Sequence, residues 1–268
     1  DVVVTITGTN DAPVVTFDGS TAAGFTITAN DPDDGDVLTF KAPTFAAIQG
    51  AVNDGAATAI NLVALGTQTQ YDLVVTDGTA DTAVLNADGD QVMVVVGTNL
   101  ADTQAPVVGA GLYYGFDGND TIVGGANNDT VYGGADNDSI TGGTGADVMS
   151  GGAGTDEFVI GSGASGITLA TADTIADFTT GADTINVAVA VTYMEVDGTA
   201  NNEAAFLANA AVAFGGGTTV YVEYNANGTG NTWVLIDQNG DGVIDANDTF
   251  VVLTGVGGAA GVDGADFI

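Results

Sequence analysis

Apolar and β-branched residues alternate with polar residues in short runs along most of the chain, and clusters of Asp, Gly, Asn and Pro end each run. This period of two is typical of β-strands with one buried face. The early runs are FTIT, VLTF, YDLVV and QVMVVV, separated by turn clusters such as DPDDGD and NADGD. They predict an all-β sandwich over residues 12–104. The strand Asp1–Gly8 and the GTNDAP that follows it predict the last strand of a preceding domain and its linker, over residues 1–11.

Between residues 115 and 159 the period changes to nine. Five tandem nonapeptides follow one another: GFDGNDTIV, GGANNDTVY, GGADNDSIT, GGTGADVMS and GGAGTDEFV. The pattern G-G-x-G-x-D-x-U-x is typical of a calcium-binding parallel β-roll, in which six residues form a turn and three form a strand. The eighth residues are all apolar and are predicted to point inward: Ile122, Val131, Ile140, Met149 and Phe158. We therefore predict a β-roll over residues 105–160, with the block PVVGAGLYY as its cap and DTQAP (Asp102–Pro106) as a linker candidate.

The nine-residue period stops after Gly161. The stretch ADTIADFTTGADTINV predicts two strands around a turn, and TVYVEY, TWVLI and TFVVL predict three more strands. Residues 202–214 predict one helix that begins at Asn201 or Asn202. Its predicted buried face comprises Phe206, Ala210 and Ala213. Residues 161–268 are therefore predicted to form a β-rich cap with one short helix.

The charge of the chain is extreme. The formal net charge is −34, Lys41 is the only basic side chain, and 31 of the 35 acidic residues are Asp. Such self-repulsion opposes a compact fold unless cations enter it, and it excludes nucleic acid and anionic membranes as partners. Cysteine is absent, so disulfides are excluded, and neither a signal peptide nor an apolar run of 18 residues is present. This composition favours an exported surface protein stabilised by metal ions.

The sixth residue of every nonapeptide is an aspartate. These residues are Asp120, Asp129, Asp138, Asp147 and Asp156. Carboxylates stacked on neighbouring turns repel one another unless a cation lies between them, and Ca²⁺ accepts six to eight oxygen ligands in a flexible geometry. Asn127 and Asp136 replace the fourth-place glycine that Gly118 retains, and both residue types tolerate a left-handed backbone. We predict that these turns bind several Ca²⁺ ions through the aspartates and fourth-place residues.

A second calcium motif lies in the cap. DQNGDGVIDAND, residues 237–248, matches the EF-hand loop pattern D-x-[DN]-x-[DN]-G. The predicted ligands are Asp237, Asn239, Asp241, Val243, Asp245 and Asp248. The twelfth residue is Asp instead of the usual Glu, and the flanks predict strands, so we expect a calcium loop in a β-hairpin. The alternative is an Asx-rich turn without an ion.

These motifs resemble the RTX, or haemolysin-type, repeats of proteins exported by type I secretion. The resemblance extends over residues 109–268, and it implies that Asp173 and Asp177 complete a terminal calcium site. It also implies that the ending, up to GADFI, contains a closing hairpin and an uncleaved secretion signal.

The sandwich is similar to the cadherin-like and VCBS-type modules of bacterial adhesins, through VTITGTNDAPV, NDPDDGDVLTF and VTDGTADT. This second resemblance implies further calcium ligands at the domain junction: Asn10, Asp11, Asp31, Asp33, Asp34 and Asp36. The alternative for DPDDGD is again a turn without an ion.

The residue types also limit the function. The zinc motif H-E-x-x-H of RTX proteases needs histidine, and the chain has none. Catalytic triads need a His, Cys or Lys partner, so we predict a non-enzymatic protein. Third-place residues form no threonine ladder for ice binding, and Trp233, Tyr113, Tyr114 and Tyr132 are expected to pack internally instead of stacking on sugars.

The sequence therefore predicts the C-terminal part of a secreted, calcium-dependent RTX adhesin on the bacterial surface. Its expected partners are calcium, the type I secretion machinery, and cell-surface or matrix components, with self-association as a further possibility. The alternatives are a self-assembling surface-layer or fibre subunit, and the C-terminal secretion module of a larger RTX enzyme or toxin.

Overall fold

The computed structural model describes residues 14–30, 39–40, 48–49, 56–62, 69–72, 74–76, 81–83, 89, 91–197, 202–226, 230–256 and 262–268. The chain divides into two compact units. One comprises Asp1–Val63 and Gln70–Val94, and the other comprises Ala64–Thr69 and Val95–Ile268.

The first unit contains short strands, and most of them pair in antiparallel orientation. They are β1 (Val14–Thr21), β2 (Gly24–Asn30), β3 (Thr39–Phe40), β4 (Ile48–Gln49), β5 (Ala56–Leu62), β6 (Thr69–Asp72), β7 (Val74–Thr76) and β8 (Asp81–Ala83). One sheet has the order β1-β2-β5-β4 and another has the order β3-β7-β8. The strand β9 (Val92–Val96) spans the division between the units.

Parallel strands dominate the first half of the second unit. They are β10 (Thr103–Gln104), β11 (Ala110–Asp117), β12 (Thr121–Ala126), β13 (Thr130–Ala135), β14 (Ser139–Thr144), β15 (Val148–Ala153), β16 (Glu157–Ile160), β17 (Asp173–Ile175) and β18 (Thr184–Val187). Alternate strands stack into two parallel sheets, β10-β12-β14-β16-β18 and β11-β13-β15-β17. Within the repeats, a residue of either sheet pairs with the residue 18 positions later, as Ile122 does with Ile140. Two nonapeptides therefore make one coil of the roll.

The interior of the roll consists of the eighth residues. Ile122, Val131, Ile140, Met149 and Phe158 are all fully buried, as predicted. Ile175 and Ile185 continue the same rows after the repeats, by pairing with Met149 and Phe158. Strand β10 extends the roll in the other direction, because Gln104 pairs with Ile122. The stretch Asp102–Pro106, which the sequence suggests as a linker, instead contributes a strand to the roll.

The C-terminal cap continues one sheet of the roll. Its elements are β19 (Tyr193–Asp197), α1 (Glu203–Gly215), β20 (Val220–Ala226), β21 (Asn231–Ile236) and β22 (Thr249–Leu253). Strand β22 pairs with β17 in parallel and with β21 in antiparallel orientation. The helix forms as predicted, with Asn202 as its N-cap accepting from the Ala205 N–H, and Phe206 packs on Trp233 and Phe250.

The last residues close the other sheet. Ile185 N–H donates to Asp266 C=O (2.7 Å), and Val187 N–H donates to Ile268 C=O (2.9 Å). Phe267 is buried against this edge. The predicted all-β fold with a parallel roll and one short helix is therefore confirmed for the described residues.

Candidate metal centre

The backbone of the five repeat turns is uniform. The second-place residues all have positive φ: Phe116, Gly125, Gly134, Gly143 and Gly152. The fourth-place residues do as well: Gly118, Asn127, Asp136, Gly145 and Gly154. Asn127 (φ 74°) and Asp136 (φ 73°) adopt the left-handed conformation expected of them, and Phe116 (φ 78°) follows although it is bulky. All five turns therefore place the sixth residue in the same way.

The sixth-place aspartates form two columns, one at each of the two turns of a coil. Within a column, the backbone N–H of each aspartate donates to Oδ1 of the aspartate in the next coil. Asp120 donates to Asp138 (2.8 Å), Asp138 to Asp156 (2.9 Å), and Asp129 to Asp147 (2.8 Å). These bonds connect successive coils and satisfy one oxygen of Asp138, Asp147 and Asp156. Asp129 Oδ1 accepts in the same way from Gly111 N–H (2.6 Å).

The other carboxylate oxygen has no hydrogen-bond partner. Oδ2 of all five sixth-place aspartates is buried and unpaired. Each Oδ2 lies beside the first-place glycine of its own nonapeptide, where a Cβ would overlap it. At Gly115 the same space is bordered by the carbonyl oxygen of Gly133, from the next coil. We call this space beside each first-place glycine a cradle, and the cradle at Gly115 is bordered by two acceptor oxygens.

Burial without a donor changes the protonation of these carboxyls. It raises the pKa of Asp120 and Asp147 to about 6 and that of Asp129 and Asp138 to about 7. The pKa of Asp156 is also raised, by burial first and by the charges of Asp183 and Asp177. The calcium-free turn therefore disfavours the ionised carboxylate that a metal ion requires.

The cradles fit a hard divalent cation. Each offers an unpaired carboxylate oxygen, and a glycine carbonyl oxygen of the next coil borders the cradles at Gly115, Gly124 and Gly133. Such oxygens are the ligand type that Ca²⁺ prefers. Among the described residues, no three acidic side chains converge on one point. A bound ion would neutralise the buried charge and connect one coil to the next.

Both columns extend beyond the nonapeptides. Asp102 N–H donates to Asp120 Oδ1 (2.7 Å), Asp147 N–H to Asp173 Oδ1 (3.0 Å), and Asp156 N–H to Asp183 Oδ1 (3.0 Å). Burial raises the pKa of Asp173 to about 8. Sequence reasoning identified Asp173 but missed Asp102 and Asp183. Asp102 lies 18 residues before Asp120, a spacing that could have revealed it, whereas the longer segment after the repeats hides Asp183.

Asp177 occupies a different position from the columns. Its carboxylate accepts from Gly151 N–H (3.0 Å), Gly152 N–H (2.8 Å) and Ser150 Oγ (2.6 Å). These three donors belong to the edge of β15 beyond the end of β17. Asp177 therefore caps this sheet edge, and its role as a calcium ligand stays a prediction.

The loop of residues 237–248 connects β21 and β22 in a hairpin, as predicted. Asp237 is buried and accepts from Gly240 N–H (2.7 Å) and Gly242 N–H (2.9 Å). Asp248 accepts from Asp245 N–H (2.8 Å), and burial, together with the nearby charge of Asp237, raises its pKa to about 6. The fold thus brings the first and twelfth residues together.

The remaining predicted ligands of this loop lie near its surface. Asn239 Nδ2 donates to Asp241 Oδ2 (2.9 Å), Asp241 Oδ1 accepts from Val243 N–H (2.8 Å), and Asp245 Oδ1 accepts from Asn247 N–H (2.7 Å). These are the hydrogen bonds of Asx turns, and calcium binding at this loop stays a prediction.

Other predicted residues can be placed briefly. Trp233, Tyr113 and Tyr114 are buried, as expected for internal packing. The candidate ligands Asn10, Asp11, Asp31, Asp33, Asp34 and Asp36 lie outside the described residues. No helix in the described part of the chain has the length and apolar character needed to span a membrane.

Comparison with known proteins identifies the repeats. The family model of the RTX calcium-binding nonapeptide repeat (4 copies) matches residues 114–149, 127–158 and 134–166. The solution structure of the AlgE6R3 subunit from the Azotobacter vinelandii mannuronan C5-epimerase is 23% identical, with a TM-score of 0.31, over 65% of this chain and 80% of that chain. No curated protein matches the chain. Residues 114–166 therefore carry RTX calcium-binding nonapeptide repeats.

Proposed function

We propose that the chain is a non-enzymatic, calcium-dependent extracellular surface protein, the C-terminal part of an RTX adhesin exported by type I secretion. The observation that carries this proposal is the set of five buried Oδ2 atoms without hydrogen-bond partners at the turns of the roll. The RTX repeats support calcium as the ion, and the net charge of −34 supports the need for bound cations.

The proposed ligands in the roll are the sixth-place aspartates and main-chain oxygens. Asp120, Asp129, Asp138, Asp147 and Asp156 supply Oδ2, and Asp173 extends the set. The fourth-place residues Gly118, Asn127 and Asp136 contribute carbonyl oxygens. In support, a Cβ on the fourth-place Gly145 would overlap the carbonyl of Asn127, so this carbonyl faces the next coil. Calcium supplies charge neutralisation here, and the aspartates and glycines position it.

Calcium would act as the folding trigger. The ionised carboxylates destabilise the calcium-free roll, because burial in the folded state opposes their charge. A ligand that binds only the folded state adds its binding free energy to folding stability. The chain therefore stays expanded where calcium is scarce, as in a cytosol, and folds at the millimolar concentrations outside the cell.

Two further parts of the chain complete the proposal. The hairpin loop of residues 237–248 binds a calcium ion through the predicted ligands, supported by the adjacent buried Asp237 and Asp248. Residues 12–104 form a cadherin-like sandwich, supported by the antiparallel strands of the first unit. The candidates Asn10, Asp11, Asp31, Asp33, Asp34 and Asp36 would stiffen its junction, and the adhesive partner is a cell-surface or matrix component.

Circular dichroism with and without calcium tests the folding trigger. At about 37 °C we expect a β-sheet spectrum in millimolar calcium, the range in which extracellular calcium modules bind. In excess EGTA we expect a disordered spectrum at this temperature, because the calcium-free roll is folded only well below it. Magnesium at the same concentration is the control, because its strict octahedral geometry does not suit these turns. An unchanged spectrum in EGTA would contradict calcium-dependent folding. Electron microscopy in calcium separates the adhesin from a surface-layer or fibre subunit, since ordered sheets or filaments would contradict the adhesin.

A further inference from the structure

Residues 97–105, GTNLADTQA, form the first half of the first coil of the roll and lie outside the matched repeats. Gly97 occupies the first place, Asp102 the sixth and Gln104 the eighth. Gly97 N–H donates to Tyr114 C=O (2.7 Å), and Thr103 pairs with Thr121 in the register of the repeats. This segment therefore continues the strand register of the roll, but its turn differs from those of the repeats, because Thr98 and Leu100 at the second and fourth places lack the positive φ found there.

Its eighth residue is polar, whereas the repeats have apolar residues at that place. Gln104 is fully buried, and its Nε2 donates to Tyr114 C=O (2.9 Å). A Cβ on Gly97 would lie 2.8 Å from this Nε2 and 2.9 Å from Tyr114 C=O, and it would overlap Gly115 C=O. The amide therefore puts a hydrogen-bond donor into the cradle of this coil.

The next cradle along the roll has the opposite character. At Gly115 the same space is bordered by Asp120 Oδ2 and Gly133 C=O, which are both acceptors. In the first coil Asp102 Oδ2 turns away from the cradle and accepts from Thr98 N–H (2.6 Å) and Thr98 Oγ1 (3.0 Å). Asp102 Oδ2 and Tyr114 C=O are thus satisfied by donors of the chain itself, whereas Asp120 Oδ2 in the cradle at Gly115 has no hydrogen-bond partner.

The buried Gln104 amide lowers the stability of the fold unless its donor is needed, so its presence calls for an explanation. Gln104 Oε1 is buried without a hydrogen-bond partner, which an apolar residue at the eighth place would avoid. An amide at this position is explained if its N–H groups are needed by the carbonyl oxygens around Gly97.

We propose that the Gln104 amide takes the place of the cation in the cradle at Gly97 and so ends the calcium column at this coil. This inference rests on the proposed function, in which the other cradles bind calcium. Residues 97–105 are then an ion-free half-coil at the N-terminal end of the roll.

Two substitutions of nearly equal size test this assignment in the full chain. Gln104→Glu replaces the donor by a carboxylate, so its cradle becomes like that of Gly115. We expect this variant to bind one more calcium ion per chain than wild type, counted by equilibrium dialysis with radioactive calcium at pH 8. Its melting temperature should fall below wild type in EGTA and recover in calcium.

Gln104→Met is the matched control, because it removes the donor without adding a ligand. It should bind the wild-type number of ions and melt at a lower temperature than wild type both in EGTA and in calcium. If wild type binds calcium and Gln104→Glu gains no ion, or is not restored by calcium, the inference is refuted. If wild type binds no calcium, the proposed function is refuted, and the inference with it.

Discussion

The Asp138→Asn substitution removes a proposed calcium ligand while it keeps the hydrogen bond that this side chain makes to the neighbouring coil. Asp138 belongs to the middle coil, its Oδ1 accepts from Asp120 N–H, and its Oδ2 faces the cradle at Gly133. In the Asp138→Asn variant the side-chain oxygen keeps the bond to Asp120, and the new Nδ2 donates toward the carbonyl of Gly151 that borders the cradle. In the variant, the side-chain N–H group therefore takes the place of the cation as the partner of Gly151 C=O.

The expected change in the free energy of unfolding follows from the pKa of this carboxyl. Burial raises the pKa of Asp138 from its ordinary value of 3.8 to about 7. Each pH unit between these values corresponds to about 1.4 kcal/mol, so at pH 8 the ionised group costs the calcium-free fold about 4 kcal/mol. Asp138→Asn should therefore raise the free energy of unfolding in EGTA by a few kcal/mol, and it should lower the stabilisation that calcium adds.

Urea denaturation at pH 8, in EGTA and in saturating calcium, measures both effects. Asp117→Asn is the matched control, because it removes one charge from the exposed third place of a repeat. This control should change either free energy of unfolding by no more than about 0.5 kcal/mol. If Asp138→Asn destabilises the chain in EGTA, or leaves the calcium increment equal to that of wild type, the assignment of the orphan oxygens to calcium is wrong.

Three further predictions concern pH, backbone and hairpin loop. The pKa values of Asp129, Asp138 and Asp173 are raised, so the calcium-free fold binds more protons than the unfolded chain. Its melting temperature, measured by calorimetry in EGTA, should therefore fall as the pH rises from about 4 to about 8. A melting temperature that rises over this range would contradict the prediction. Gly143→Ala should lower the free energy of unfolding, measured by urea denaturation, by about 2 kcal/mol or more, because φ is +113° and the Cβ would overlap Gly125 C=O. Gly161→Ala is the control and should be nearly neutral, because a Cβ there has nothing within 4 Å. Asp241→Ala should lower the number of bound calcium ions by one, because it removes a ligand oxygen, and an unchanged number would leave the loop as an Asx-rich turn.

Much of the roll follows from local pattern. A glycine or an Asn or Asp residue at a left-handed position is recognisable from residue type, because few other side chains tolerate positive φ. The eighth-place apolar residues are equally recognisable, since alternation along a strand turns every second residue inward. The strands are longer than the three residues expected, because they continue into the glycines of the next nonapeptide, as in Thr121–Ala126. The N-cap and buried face of α1 also follow from spacing, because they depend on residues three or four positions apart.

The ends of the roll depend on contacts between distant residues. Asp183 is 27 residues after Asp156, with an irregular segment between them, and only the stacking of β18 on β16 aligns the two. Asp177 resembles a column aspartate in sequence, yet it caps the edge of β15 where β17 has ended. No local pattern distinguishes these positions.

The sequence by itself therefore determined the repeating coil, its apolar interior and the carboxylate at every turn, because each of these is a property of nine consecutive residues. Only the tertiary structure decided which oxygens are left without donors and where the columns stop. The reason is that both depend on the neighbouring coil: the bond from Asp120 N–H satisfies one oxygen of Asp138, and the Gln104 amide fills the first cradle.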